Sequence, residues 1–137
     1  MKNKKLLLKC VIFLVSLFSF SCVVNNRNKV VRGHISVGPA FEYITLSDKN
    51  STCFVDRGSE SVTIGDWIEK QPVRSNPFMG HYAGCRAVYV EALASENRMT
   101  LPMQGTYKVL RIEKIFKIEP PHSDFFGSQK HPLPQPL

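Results

Sequence analysis

The sequence predicts an all-β protein, a small five-stranded barrel that carries one short helix. The first reason is residues 31–37, where apolar and polar side chains alternate, as in a strand with one buried face. The second is that further short apolar stretches follow, separated by turn clusters at residues 47–51 and 56–59. The third is the length of 137 residues, with 43% hydrophobic and 21% charged residues, which suits one small domain.

Five strands are expected along the chain. Each is a run rich in Val, Ile, Thr, Tyr or Phe that is bounded by Gly, Pro or polar turn residues. The last is unusually long, which indicates a bend or a bulge. The five predicted strands cover residues 31–37, 40–46, 52–55, 86–94 and 106–119.

The segment between the third and fourth strands is expected to hold the helix. Asn76 followed by Pro77 is a typical helix start, and a short helix from there would end at Gly84. Residues 61–64 are predicted as a short extra strand, and residues 95–105 as a loop before the last strand. Three strands, a helix and two strands is the order of an OB-type barrel.

The chain divides into four predicted segments. Residues 1–21 are a signal peptide, residues 22–30 a tether and residues 31–119 the barrel. Residues 120–137 have prolines at alternate positions near their end, which is typical of a disordered tail.

The start of the chain has the composition of a lipoprotein signal peptide. Three lysines in the first five residues precede a largely apolar run at residues 6–20. Its uninterrupted part after Lys9 is shorter than the roughly 20 residues that span a bilayer. The Ser21-Cys22 pair resembles the lipobox of bacterial lipoproteins, which implies cleavage before Cys22 and a lipid on its thiol.

Acyl chains on Cys22 would hold a small domain at a membrane, because each buried CH₂ group contributes about 0.8 kcal/mol. No Asp follows Cys22, and by resemblance to lipoprotein sorting signals this implies the outer membrane, facing the periplasm. A cleaved signal without lipid and an uncleaved membrane helix are the alternatives.

The net charge of +7 does not indicate a nucleic-acid binder. Residues 33–119 contain ten Lys or Arg residues and ten Asp or Glu residues, so the predicted barrel is formally neutral. A protein that binds DNA or RNA carries its positive charge on the folded part, where it meets phosphates. The excess of cations lies instead in the leader and just behind it, and we expect no nucleic-acid partner.

The four cysteines have different predicted roles. Cys10 lies in the leader and Cys22 is the predicted lipidation site, which leaves Cys53 and Cys85 as a pair in a compartment that permits disulfides. A disulfide across 32 residues would contribute about 3–4 kcal/mol in the chain-entropy model. Two separate buried thiols are the first alternative. The second is a soft-metal site for copper formed by Met79, His81 and Cys85, which Cys53 could join.

No motif in the chain indicates an enzyme or a bound cofactor. Phosphate-cradling glycine loops, serine-nucleophile motifs and zinc-protease motifs are absent from the sequence. The most specific catalytic hypothesis is a Cys85 nucleophile that His81 or His34 activates as a base. Aromatic residues could also form a stacking platform of the kind that OB barrels use to bind single-stranded nucleic acid. Packing in the core or at its rim is the alternative role for them. These aromatic residues are Trp67, Tyr89 and Tyr107.

Short motifs between residues 31 and 119 carry a family resemblance. They are Gly33-His34-Ile35, Phe41-x-Tyr43, Thr52-Cys53, Trp67, Tyr82, Val88-Tyr89-Val90, and Gly105 followed by Val109-Leu110-Arg111-Ile112. Together they resemble the OB domain at the C-terminus of NlpE-type envelope lipoproteins. The resemblance implies an OB barrel, but the chain lacks the family's copper-associated domain with its Cys-x-x-Cys.

These observations predict a lipid-anchored, non-enzymatic module of the bacterial envelope. Its expected partner is an envelope protein or a small envelope ligand, which the sequence does not identify. Copper binding and envelope stress sensing are the alternative functions.

Overall fold

The computed structural model describes residues 27–39, 41–48, 51–78, 80–127 and 131–137, without the side chains of residues 80–83. The predicted signal peptide and Cys22 lie outside the described residues. Within them, no helix is long and apolar enough to cross a membrane.

Six strands and one α-helix make up the fold. A single 3-10 turn, Gly58–Glu60, leads into the helix. In chain order the elements are β1 (Lys29–Val37), β2 (Glu42–Leu46), β3 (Ser51–Asp56), α1 (Ser61–Glu69), β4 (Arg74–Asn76), β5 (Gly80–Leu101) and β6 (Gly105–Glu119).

Five of the strands close into a ring, which confirms the predicted all-β, barrel-like fold with one short helix. The order is β1-β2-β3-β6-β5, and β5 pairs again with β1. All neighbours are antiparallel except β3 and β6, which run parallel. The short strand β4 pairs with the start of β5.

The core forms because side chains alternate between the two faces of each strand. Ile35 pairs with Ile44 on one side and with Val88 on the other, and Ile44 pairs with Cys53. Residues paired in this way share a face, so all four side chains point into the barrel. Leu110 lies in the same fully buried cluster.

The helix lies at Ser61–Glu69, so the predicted helix from Asn76 to Gly84 and the predicted strand at residues 61–64 are both wrong. Ile64 and Ile68 are four residues apart, lie on one face of α1 and are buried in the barrel core. The β-branched residues Val62, Thr63 and Ile64 favour a strand locally, but burial of the helical apolar face outweighs that preference.

Asn76 caps a turn rather than a helix. Its side-chain Oδ1 accepts a hydrogen bond from the backbone N–H of Phe78 at 2.9 Å, as in an Asx-turn. The chain then enters β5 at Gly80. An Asn followed by Pro suits both motifs, and here the pairing of β4 with the start of β5 decides between them.

The predicted loop at residues 95–105 is wrong, because β5 continues to Leu101 and pairs with β6 across a short turn. This hairpin pairs Met99 with Tyr107 and Thr100 with Thr106. In residues 95–101, polar and apolar residues do not alternate as they do in a half-buried strand, which is why the sequence predicts a loop there. The expected irregularity in the last strand is confirmed, since the β5–β6 register shifts between Glu91 and Ala92 and again after Leu93.

The described part of residues 120–137 lies on the outside of the barrel, which differs from the disordered tail that the sequence predicts. Phe125 is only 3% exposed and packs with Phe78 and Ala87. Near the end, the Leu137 backbone N–H donates to the Thr106 carbonyl at 2.8 Å. One buried aromatic side chain and backbone hydrogen bonds are enough to hold a proline-rich segment that needs no regular structure of its own.

Gly33 is required where β1 runs close to β2. A Cβ atom at this position would lie 2.3 Å from the Thr45 carbonyl oxygen, which belongs to the backbone and cannot move aside. We predict that Gly33→Ala lowers the free energy of unfolding by at least about 2 kcal/mol. This change in the free energy of unfolding is measured by urea denaturation, monitored through the fluorescence of Trp67, the single tryptophan.

Gly65→Ala in α1 is the matched control. A Cβ at Gly65 meets only the flexible guanidinium end of Arg57 at 3.1 Å, and alanine favours a helix over glycine by about 1 kcal/mol. This variant should be as stable as the wild type or more so. A Gly33→Ala protein as stable as the wild type would contradict the close β1–β2 packing.

Candidate functional site

A cleft of about 720 Å³ opens at one end of the barrel. The loop that joins β1 to β2, the end of β3 and the β5–β6 hairpin form its walls. The described residues that line it are Val37, Gly38, Phe41, Glu42, Phe54, Val55, Asp56, Asn97, Arg98, Met99 and Val109. We call this space the end cleft.

Aromatic rings form the apolar side of the end cleft. The Phe54 ring contacts Phe41 at 5.3 Å, Tyr43 at 5.5 Å and Tyr107 at 5.2 Å between centroids. Tyr43 pairs with Phe54 across β2 and β3, so both lie on the outer face of the sheet. Phe41 is 43% exposed and leaves an apolar surface open to a ligand. We call these four residues the aromatic cluster.

The charged residues of the end cleft are unevenly paired. Arg57 donates two hydrogen bonds to the Glu42 carboxylate, at 2.8 and 2.6 Å. The Asp56 carboxylate lies 3.3 Å from an Arg111 nitrogen. Arg98 makes no ion pair with any residue that the structure describes. The two acids are therefore neutralised, and Arg98 is the cation that remains available to a ligand.

A second cleft, of about 300 Å³, lies between the outer face of the barrel and the C-terminal segment, which contributes His122, Asp124, Phe125 and His131. His34, on β1, is buried here, with 7% of its surface exposed. Its Nε2 accepts a hydrogen bond from the backbone N–H of His122 at 3.0 Å. Its ring stacks on Phe125 at 4.4 Å, and Phe125 stacks on His131 at 4.7 Å. We call this space the histidine cleft.

Burial lowers the pKa of His34 from 6.5 to about 4. Desolvation of the charged ring is the main cause, and the neighbouring His122 and His131 add to it. The carboxylates of Asp124 and Glu119 act in the opposite direction but do not compensate. His34 is therefore neutral at pH 7, as an acceptor at Nε2 must be.

The structure does not join Cys53 and Cys85, which the sequence predicts to form a disulfide. Cys53 pairs with Ile44 and points into the core. Cys85 is two residues before Ala87, which pairs with Ser36 and so lies on the outer face, opposite to Ile35 and Val88. Two cysteines on opposite faces of one sheet cannot meet without a change of register.

The same geometry bears on the soft-metal hypothesis. Cys53 and Cys85 cannot bind one ion together from opposite faces, so Cys53 does not join such a site. Met79 lies outside the described residues, as does the side chain of His81. In the described parts of the chain, no three His, Cys, Asp or Glu side chains are grouped to hold a metal ion.

The hypothesis of a Cys85 nucleophile activated by His34 does not fit the structure. His34 pairs with Tyr89, four residues along β5 from Cys85, which is about 13 Å in a strand. Burial raises the pKa of the Cys85 thiol to about 11, so that it stays protonated at neutral pH. The other proposed base, His81, has no described side chain.

The three aromatic residues considered as a platform lie in three places. Trp67 packs against the core from α1. Tyr89 stacks on His122 at 4.0 Å in the histidine cleft, and Tyr107 belongs to the aromatic cluster. Neither Phe54 nor His122 is among the functional residues that the sequence predicts. Phe54 could have been found from the alternation in β3, since Cys53 points inward, but only once the β2–β3 register is known.

We predict that Cys53 and Cys85 are both alkylated when the protein is unfolded without reductant. Peptide mass spectrometry should show each with one added group, because opposite faces keep the thiols apart. Cys85→Ser should leave the Cys53 peptide equally modified. A cross-linked peptide 2 Da lighter than the sum of the two would contradict the register described above.

The chain matches no protein-family model, no curated protein and no solved structure. The two clefts and the predicted leader are therefore the features that bear on its function.

Proposed function

We propose that the protein is a lipid-anchored, non-enzymatic binding module of the bacterial envelope, with a barrel of the OB type. The order of its elements supports this assignment: three strands, a helix, and two long strands that complete the ring. The short strand β4 is an addition beside the ring. The leader with its Ser21-Cys22 pair supports the anchor.

The single observation that carries the binding function is the end cleft. OB barrels bind their ligands on the outer face of strands two and three, between the loops that join strands one to two and four to five. Here Tyr43 and Phe54 occupy that face, Phe41 lies in the first of these loops, and Asn97 and Arg98 belong to the hairpin in the second position.

The chemistry of the end cleft favours a ligand with an apolar or aromatic group and a negative charge. The aromatic cluster offers flat apolar contact, and Arg98 offers a charge-assisted hydrogen bond. An extended peptide of an envelope protein or a small acidic molecule would meet both. A nucleic acid suits the site poorly, because its phosphates would meet a single available cation among the described lining residues, Arg98.

Anilinonaphthalene sulfonate, an aromatic anion, is a suitable probe of this site. We predict saturable binding to the folded protein, seen as a rise in dye fluorescence. Phe41→Ala and Arg98→Ala should each weaken it by about three- to tenfold, which corresponds to the loss of one apolar contact or of one charged hydrogen bond.

Two substitutions outside the end cleft are controls, because each removes an exposed ring or an exposed cation that could bind the dye nonspecifically. Phe116→Ala removes a ring that is 55% exposed on β6, and Arg27→Ala removes an exposed cation. Both should bind the dye like the wild type. If they weaken binding as much as the cleft variants do, the dye does not report on the cleft and the assignment of this site fails.

The anchor is tested by metabolic labelling with palmitate. We predict label on the wild-type chain and none on Cys22→Ala, because only a thiol at this position would carry the acyl group. Cys53→Ala is the matched control and should keep its label, since that side chain is buried in the core. Equal labelling of the wild type and Cys22→Ala would end the lipidation proposal.

A further inference from the structure

The chain folds back over the barrel after β6 ends at Glu119. Residues 121–127 and 131–137, which we call the strap, lie on the outer face of the sheet. The backbone N–H of His122 donates to His34 on β1, and the backbone N–H of His131 donates to the Pro77 carbonyl at 3.1 Å. The end of the strap pairs with β6, where Pro136 lies opposite Tyr107.

Imidazole rings are concentrated where the strap meets the barrel. Of the four histidines in the chain, His34 comes from the barrel and His122 and His131 from the strap. The ring centroids of His34 and His122 are 5.0 Å apart. Phe125 lies between His34 and His131 and stacks on both. Protonation of a histidine here would therefore place a positive charge at the contact between the strap and the outer face of the barrel.

His34 holds the strap only while its ring is neutral. A protonated His34 would place an N–H donor against the N–H of His122, so the hydrogen bond would be lost and a charge would be buried. The charged and titratable groups facing this ring come from several elements. They are Tyr89 on β5, Glu119 on β6, and His122, Asp124 and His131 on the strap, with the Arg32–Glu91 ion pair further along the same face.

We propose that the strap is a displaceable cover, which binds the outer face of the barrel when His34 is neutral and leaves it when His34 takes up a proton. Release exposes His34 and Tyr89 on the barrel side of the histidine cleft, together with Phe78, which packs against Phe125 and His131 of the strap. Phe78 in turn contacts Tyr43 of the aromatic cluster at 5.0 Å. The uncovered surface would therefore be continuous with the end cleft, although the inference does not depend on what that cleft binds.

The direction of the effect follows from linkage. In the attached state the pKa of His34 is lowered from 6.5 to about 4, mainly by burial, so a released state in which this ring is exposed binds more protons between these values. The attached state is therefore favoured most above pH 6.5, and this preference falls as the pH falls towards 4. The carboxylates of Asp124 and Glu119 stabilise the proton only in part, since the pKa is lowered despite them.

Backbone ¹⁵N relaxation of the full chain in detergent tests this inference. Amides of the strap should have order parameters near 0.85 at pH 7, like those of the barrel, and below about 0.6 at pH 4. The barrel amides should stay rigid at both values. The midpoint of release should coincide with the titration of the His34 ring, followed through its own carbon shifts in the same samples.

Two matched variants separate His34 from the other histidines. His34→Gln keeps a side-chain acceptor but cannot take up a proton in this range, so its strap should stay rigid at pH 4. His131→Gln can still donate to the Phe125 carbonyl through its amide, and its strap should be released in acid like that of the wild type. The wild-type ring titration needs no variant and tests the inference even if His34→Gln does not fold.

Three results would overturn the inference. One is a wild-type strap that stays rigid at pH 4 while the barrel is folded. Another is a His34→Gln strap that is released over the same pH range as the wild type. The third is a single transition in which strap and barrel lose order together, because the strap would then have no attachment equilibrium of its own.

Discussion

The closure of five strands into one ring is the constraint on which the rest of this structure depends. β1 pairs with both β2 and β5, so the ring has no open edge between its first and last members. Closure also assigns every second side chain to the interior. Gly33 is part of this constraint, since a larger residue would collide with the backbone of β2.

The division into inner and outer faces explains why chemically similar residues have different surroundings. Cys53 lies among core aliphatic side chains, whereas Cys85 lies on the outer face beside Phe78 and Ser36. Likewise, Ile44 fills the core while its neighbour Tyr43 joins the aromatic cluster. A disulfide would have required both cysteines on one face, which the uninterrupted β1–β5 register forbids.

The outer face is not a bare solvent surface. Aromatic contacts continue from Phe54 through Tyr43 and Phe78 to His131 on the strap. The end cleft and the histidine cleft are thus two parts of one surface, open at the first and covered at the second. A proline-rich segment suits such a cover, because proline restricts the backbone and so reduces the conformational freedom lost on binding.

The sequence by itself determined the all-β fold class, with one short helix and five ring strands. The strands follow from local alternation, which depends only on which side chains a strand buries. Only the tertiary structure decided that the helix lies at Ser61–Glu69, because burial of its apolar face competes with a local preference for strand.

Tertiary structure also decided both clefts. Phe41, Phe54 and Arg98 meet through the β2–β3 register and the β5–β6 hairpin, and His34 meets His122 although 88 residues separate them. No local pattern encodes such contacts, since they arise from pairing between distant segments. The proposed leader and the proposed lipidation site at Cys22 are the converse, because a pattern of charge, apolar length and one cysteine is local and its prediction needs no fold.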